Sequence, residues 1–134
     1  MKARTFTSGS WSIEIPGDWS VESGTPVSIV RRDGVGALQI TSTQKTTGSI
    51  TKEDVDELVA GEAGKTDNVS FGAFQGVTLE HVSEGRFLQK WWLVRDSLLL
   101  FLTYNCQEKD QEIDQLSIRQ MLGSLQVRQR PAAS

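Results

Sequence analysis

Along the first forty residues apolar positions alternate with polar ones. Trp11, Ile13 and Ile15 alternate with Ser12 and Glu14, the period-two pattern of a half-buried strand, and Pro16-Gly17-Asp18 ends it in a turn. Trp19 then packs the chain back onto the body. Residues 27–32 and 35–41 flank Asp33-Gly34, a two-residue hairpin signal, because a type I′ turn needs positive φ and glycine adopts it at little steric cost. In that register Val27 and Ile29 oppose Ile40 and Leu38 on one face. Residues 42–49 read as a polar connection. Near residue 51 the period lengthens. Thr51 is placed as an N-cap with Asp54 three positions on, an acidic capping box, and Ile50 before the cap meets Val55 as a hydrophobic staple. Val55, Leu58 and Val59 make one short stripe and Gly61 and Gly64 weaken the helix end, so this helix lies on a sheet by one face.

Turns at Gln75-Gly76, Glu84-Gly85 and Asp96-Ser97 separate four strands, 69–74, 77–83, 86–95 and 98–106, and such short turns permit only antiparallel neighbours. With Asp96-Ser97 as the turn, Trp92 faces Phe101 and Trp91 faces Leu102 on opposite sides of the sheet. Residues 98–102 are apolar at both parities, which predicts cover on both sides: the C-terminal helix on one and the 51–61 helix on the other, or the N-terminal segment and its Trp residues sharing the work. An acidic-headed amphipathic helix over 108–125 follows, with Ile113, Leu116, Met121, Leu122 and Leu125 near one stripe and Arg119, Arg128 and Arg130 toward the end that favours cations. The pattern predicts an α+β domain: an antiparallel meander sheet of about six or seven strands with helices on both faces, an α/β/α sandwich. It is a single domain over residues 1–134 with an ordered core of about 5–128 and a tail at 129–134.

A chain of 134 residues buries roughly two-thirds of the surface its unfolded form exposes and needs no disulfide or metal to do so. The formal charge of −3 argues against nucleic-acid binding, which requires a basic field to neutralise phosphates. Nine of the 17 acidic residues fall on the two predicted helices: Glu53, Asp54, Asp56, Glu57 and Glu62 on the first, Glu108, Asp110, Glu112 and Asp114 on the second. These read as solvated helix faces near N-termini; the alternative is a docking face for a basic partner. The one cysteine, Cys106, excludes an internal disulfide and a Cys-based zinc site and reads as a buried thiol at a strand end. No 7–15-residue apolar stretch follows the basic start, so no signal peptide is expected, and no apolar run approaches the ~20 residues of a membrane span. The expected compartment is the cytoplasm, without membrane insertion.

Candidate chemistry is sparse. His81, the one histidine, lies on an alternating strand without other metal-ligand residues nearby in sequence, so no metal and no cofactor are expected. No Gly-x-Ser-x-Gly elbow supplies a nucleophile for it. Gly34-x-Gly36 resembles the start of a phosphate loop but sits between strands, without a helix N-terminus to receive the anion. The paired carboxylates lie on amphipathic helices and are expected in solvent, where nothing raises their pKa. No catalytic residue is assigned. Trp91 and Trp92, on opposite faces, require full cover on both sides to be buried. With incomplete cover one indole is partly exposed beside Arg86, Lys90 or Arg95, a patch suited to protein contact.

Trp11-Ser-Ile-Glu-Ile-Pro-Gly-Asp-Trp19, Gly34-Val-Gly-Ala-Leu-Gln-Ile40, Phe101-Leu-Thr-Tyr-Asn-Cys106 and Met121-Leu-Gly-Ser-Leu125, taken in order over nearly the whole chain, resemble the PsbP-like group of small domains. Its relatives include DcrB-like proteins and the Ran-binding Mog proteins, and these strings are similar to an uncharacterised bacterial branch. The resemblance implies an antiparallel sheet sandwiched by helices and a non-catalytic role: accessory subunit, small-GTPase binder or secretion-associated chaperone. It transfers no functional residue to a numbered position. The resulting expectation is a bacterial protein-interaction domain, an effector chaperone, adaptor or immunity protein, with a protein partner of its own. The alternative is a small apolar ligand held between sheet and helix by Trp19, Phe74 or Trp92; a remote one is an enzyme using His81. A homodimer through an open edge at Trp11–Ile15 is a further expectation.

Overall fold

The computed structural model describes residues 2–128, so the expected tail at 129–134, Arg130 included, lies outside the described residues. Its strands are β1 (Arg4–Thr7), β2 (Trp11–Ile15), β3 (Trp19–Glu22), β4 (Val27–Arg31) and β5 (Ala37–Gln44). Helix α1 (Lys52–Val59) precedes the long run β6 (Lys65–Phe71), β7 (Phe74–Ser83), β8 (Arg86–Arg95) and β9 (Leu98–Gln107). A 3-10 turn (Glu108–Asp110), α2 (Gln115–Gly123) and β10 (Gln126–Val127) complete the chain. Seven strands form one antiparallel sheet in the order β3-β4-β5-β9-β8-β7-β6, and β1-β2-β10 form a second. The chain leaves β5 in mid-sheet and returns at the far edge as β6, with α1 in the connection that passes β9, β8 and β7.

Much of the local geometry follows the hydrophobic pattern. Trp91 pairs with Leu102 and Trp92 with Phe101, as the Asp96-Ser97 turn dictates. Val27 pairs with Ile40 and Ile29 with Leu38, again as expected, but pairing stops at Val30–Ala37 and the hairpin turn is not type I′. The amide of Gly34 instead donates to the Arg31 carbonyl, and Asp33 takes the positive φ of 59°. Strand β5 runs on through Ser42–Gln44, pairing with Leu100–Leu98, so the polar connection is shorter than its composition suggests. The turn expected at Gln75-Gly76 lies instead at Gly72-Ala73, where Gly72 adopts φ 56°. Gly76 is inside β7 opposite Leu93 because a Cβ there would lie 1.7 Å from the Trp92 carbonyl oxygen. Only a residue without Cβ lets β7 and β8 approach that closely.

The two faces of the large sheet are covered unequally. On one, Leu98, Leu100, Leu102, Tyr104 and Cys106 of β9 are fully buried with Leu38, Ile40, Trp91 and Leu93. Their cover is shared: Trp11, Ile13 and Ile15 come from the three-stranded sheet, and Ile118, Met121 and Leu122 from α2. On the other face, Val55 of α1 packs with Val77, Leu79 and Trp92, while Leu99 and Phe101 are only half buried. Beyond them that face carries Ser28, Gln39, Thr41 and Thr43 on β4 and β5, which need no apolar cover. The antiparallel sheet of about seven strands is as expected; its first face is covered by a second sheet together with α2, and its other face, under α1, stays half open.

Further expectations are overturned. The 108–125 segment is not one helix: the chain turns through 108–114 and α2 begins only at Gln115. Its buried apolar stripe is therefore Ile118, Met121 and Leu122, the i, i+3, i+4 set of the shorter helix, with Leu125 buried just beyond its end, while Ile113 and Leu116 face solvent. No basic residue stands in its last turn. Trp11–Ile15 is no open edge, since β2 is the middle strand of its sheet; the large sheet ends at β3 and β6. On α1 the capping box forms as read: Asp54 N–H donates to Thr51 Oγ1 at 3.2 Å and Thr51 N–H to Asp54 Oδ2 at 2.9 Å. That backbone bond holds the Asp54 carboxyl below its ordinary pKa. Leu58, placed in the stripe by its sequence, is exposed.

Candidate functional site

The structure separates the residues expected to form an aromatic and cationic patch. Successive side chains on β8 point to opposite faces, so Arg86, Lys90 and Trp92 share the half-open face, whereas Trp91 and Arg95 lie on the closed one. Both indoles are buried, which removes the aromatic component from the surface. The cations already have partners: Arg86 donates to Asn105 Oδ1 at 2.7 Å, Lys90 pairs with Glu62 at 3.0 Å, and Arg95 sits 3.6 Å from Asp96. Trp19 and Phe74 belong to the large core cluster and Trp92 to the smaller one, so the three do not line a common space. His81 is half-buried beside Leu88 on β8. No group of metal-ligating side chains occurs among the described residues. Burial pushes the Cys106 thiol above its ordinary pKa, which disfavours the reactive thiolate.

The concave feature of the half-open face is a groove along α1. A cavity of about 680 Å³ lies at the helix N-terminus, between Ile50, Thr51, Lys52 and Val55 on one side and Asn68, Ser70, Ala73 and Gln75 on the other. A second, of about 330 Å³, continues it along the helix to Val59 and Ala60, facing Thr66, Asp67 and Asn68. Lys52, Asn68 and Val77 line both. The floor is apolar, with Val55, Val77 and Val94, and the rim polar. One wall is α1; the other is β6, the last strand of the sheet. The groove exists because the crossover lays a helix of only eight residues across the sheet, short of its edge strand. No motif announces it: its walls meet only through the topology.

A buried polar network on the closed face also escaped sequence reading. Asp114, expected in solvent, is fully buried just before α2. Its Oδ2 accepts a 2.7 Å hydrogen bond from Tyr104, and its Oδ1 lies 3.0 Å from Arg31 Nη2, an ion-pair contact without hydrogen-bond geometry. Next to it Gln115 donates to Gln89, and Gln89 to Thr78. This network joins β4, β7, β8 and β9 to the start of α2. It has the form of a structural lock: each polar group is engaged with another element. Burial, and then the bond to Asp114, pushes the Tyr104 hydroxyl far above the ordinary tyrosine value of about 10. Since the native state holds that proton more tightly, the contribution to stability is complete below pH about 10 and is lost as pH rises beyond it. Tyr104 is the one tyrosine, so tyrosinate absorbance reads it alone. The expected titration shows no tyrosinate in the folded protein through the ordinary range, and its appearance coincides with alkaline unfolding; ionisation near pH 10 with the fold intact would contradict the assignment.

No protein-family model and no curated protein sequence matches the chain. Solved structures do. The chain superimposes on a cyanobacterial PsbP (CyanoP) from Synechocystis sp. PCC 6803 with a TM-score of 0.62 at 12% identity, covering 94% of this chain and 92% of that one. LpqN, involved in cell envelope biogenesis of Mycobacterium tuberculosis, gives 0.64 at 11% identity, with 96% and 91% covered. A protein of Bacteroides thetaiotaomicron VPI-5482 gives 0.71 at 16% identity over 97% of this chain; the chain spans 50% of that protein's length. At such identities the likeness is one of fold, and the fold is PsbP-like, as the sequence resemblance implied.

Proposed function

We propose that this PsbP-like domain is a non-catalytic protein-interaction module, of the adaptor, chaperone or immunity-protein kind, that receives an extended stretch of a partner protein along the free edge of β6, beside the groove under α1. The observation that carries this reading is the coincidence of an edge strand with an open apolar groove. An edge strand presents backbone donors and acceptors to whatever lies beside it, and an adjoining groove adds selectivity for alternate side chains; together they make the strand-addition mode of peptide recognition. The buried polar groups fit the same reading, because they tie elements together rather than converge on a cavity. Fold likeness supports a domain type and carries no activity by itself.

The test is site-specific photo-crosslinking in the native cell. A benzophenone amino acid introduced at Asn68, on β6, is compared with one at Glu22, on the opposite edge strand β3. The expected result is one discrete protein adduct from the Asn68 site, absent from the Glu22 site and suppressed by excess unlabelled domain. Identical adducts from both sites, or none from Asn68, would overturn the assignment of that edge.

A further inference from the structure

The geometry points to a second copy of this chain on the half-open face, paired with the first about a two-fold axis. This goes beyond the β6 edge and does not depend on it. Three observations carry it. The first is the sorting of charge. On that face the side chains of β4, β5 and β9, from Ser28 and Val30 through Gln39 and Thr41 to Phe101 and Thr103, include no charged residue. Charged residues make up 23% of the chain, so three adjacent strands without one form a sorted surface. Depletion of charge marks the centre of a protein interface, with charges kept to its rim. Here the rim holds Asp18 and Glu22 at β3, Arg32 just after β4, and Arg86 and Lys90 on β8. The second is that the central polar groups already have partners. Gln39 donates to Ser28 Oγ at 3.3 Å, Thr41 to the Phe101 carbonyl at 3.4 Å, and Asn105 accepts from Arg86. Covering them therefore strands few groups without a hydrogen bond, which keeps the cost of burial low. Phe101, its ring 5.4 Å from that of Trp92, is half buried and has apolar surface left to cover.

The third is shape. Helix α1 stands over β7 and β8 as a step, and the sheet beyond it lies bare to its end at β3. A face covered over one half only is complementary to itself. Rotation about an axis along the strands lays each bare half on the other, with each β3 edge against the other copy's α1 step. The register sets Glu22, Ser28, Gln39, Thr103 and Lys90 in one row across the sheet. The same rotation therefore brings Glu22 of each copy toward Lys90 of the other. Lys90 also holds Glu62, so this contact fixes orientation and adds little affinity. The bare strands β3, β4, β5 and β9, spaced about 4.8 Å and some 20 Å long, offer roughly 400 Å² per copy, half of one standard interface side. The pairing is accordingly weak, with a Kd on the order of 10–100 μM. It leaves β6 free. The two-residue turn at Gly72-Ala73 makes Phe71 and Phe74 a hydrogen-bonded pair, so alternation points the amides of Thr66, Asn68 and Ser70 away from β7.

Sedimentation equilibrium of the whole chain from about 5 to 500 μM tests this, with circular dichroism of every variant. A reversible monomer–dimer equilibrium is expected within that range. Val30→Lys, at an exposed position of the bare face, weakens the dimer at least about tenfold and leaves the spectrum and the thermal midpoint unchanged. Val82→Lys, equally exposed but pointing to the other side of the sheet, leaves the dimer as it was. Gln39→Cys is expected to yield a covalent dimer with a short bis-maleimide, while Asn68→Cys at the β6 edge yields none; the native Cys106 is buried and does not react. A monomer at every concentration, or a dimer indifferent to Val30→Lys, would overturn the pairing and leave the β6 reading untouched. A covalent dimer from Asn68→Cys in place of Gln39→Cys would overturn it by moving the contact to the sheet edge.

Discussion

Replacing Asp114 with Ala lowers the stability of the domain by about 3 kcal/mol, among the largest effects expected of a single polar residue here. Its carboxylate is fully buried and is the partner of both the Tyr104 hydroxyl and the Arg31 guanidinium. Removing it strands a buried hydroxyl, worth about 1–3 kcal/mol, and leaves a cation without its anion. Loss of one member of a buried ion pair costs about 3–5 kcal/mol in general. Here the lower figure applies, because the Arg31 side chain keeps 22% of its surface and reaches water. The reverse change, Arg31→Met, leaves the wholly buried carboxylate without its cation and costs at least as much. The double variant Arg31→Met, Asp114→Leu costs less than the two single losses added together, since neither charge is then left alone. Urea denaturation of the four proteins measures this coupling. Strict additivity, or a loss below about 1 kcal/mol for Asp114→Ala, would mean that the contacts do not hold α2.

Gly76→Ala is the second large effect, with an expected loss of about 3 kcal/mol or more. The added methyl would lie 1.7 Å from the Trp92 carbonyl oxygen and 2.8 Å from its carbon, and backbone cannot swing aside as a flexible side chain does. Relief requires β7 to part from β8, which disturbs the packing of Val77 on Trp92 as well as the ladder itself. Gly123→Ala is the matched control. Nothing lies within 4 Å of its added Cβ, and it sits in α2, where alanine is the better helix former, so neutrality or a gain of up to about 1 kcal/mol is expected. Equal, small effects at the two positions in thermal unfolding would show that β7 and β8 are not so close.

The contrast between Gly76 and Thr51 shows what a sequence discloses here. The α1 start was legible because the capping box and staple involve neighbours within five positions, and the chemistry that makes them is local. The β8–β9 register was legible for a similar reason, since two ten-residue strands joined by Asp96-Ser97 leave one way to keep Trp91 opposite Leu102. Gly76 misled because a glycine needed for a cross-strand approach looks in sequence like a turn glycine. Asp114 misled by its company: an acidic run, Glu108, Asp110 and Glu112, resembles the solvated head of a helix, and nothing local reveals that one member finds Tyr104 and Arg31. The short strands β1 and β10 are too brief to leave a period, so the second sheet that closes the core was not foreseen. The groove was beyond reach for the same reason as its function, because α1 and β6 become its walls only after the crossover has placed β6 at the edge.

Residue-resolved amide hydrogen exchange of the free protein tests the open β6 edge most directly. Amides of β8 and β9, paired on both sides, should exchange only through global unfolding, while those of Thr66 and Ser70 exchange orders of magnitude faster, alternating with protected neighbours on the same strand. Uniform slow exchange from Lys65 to Phe71, matching β8, would show that edge already closed and would contradict the account.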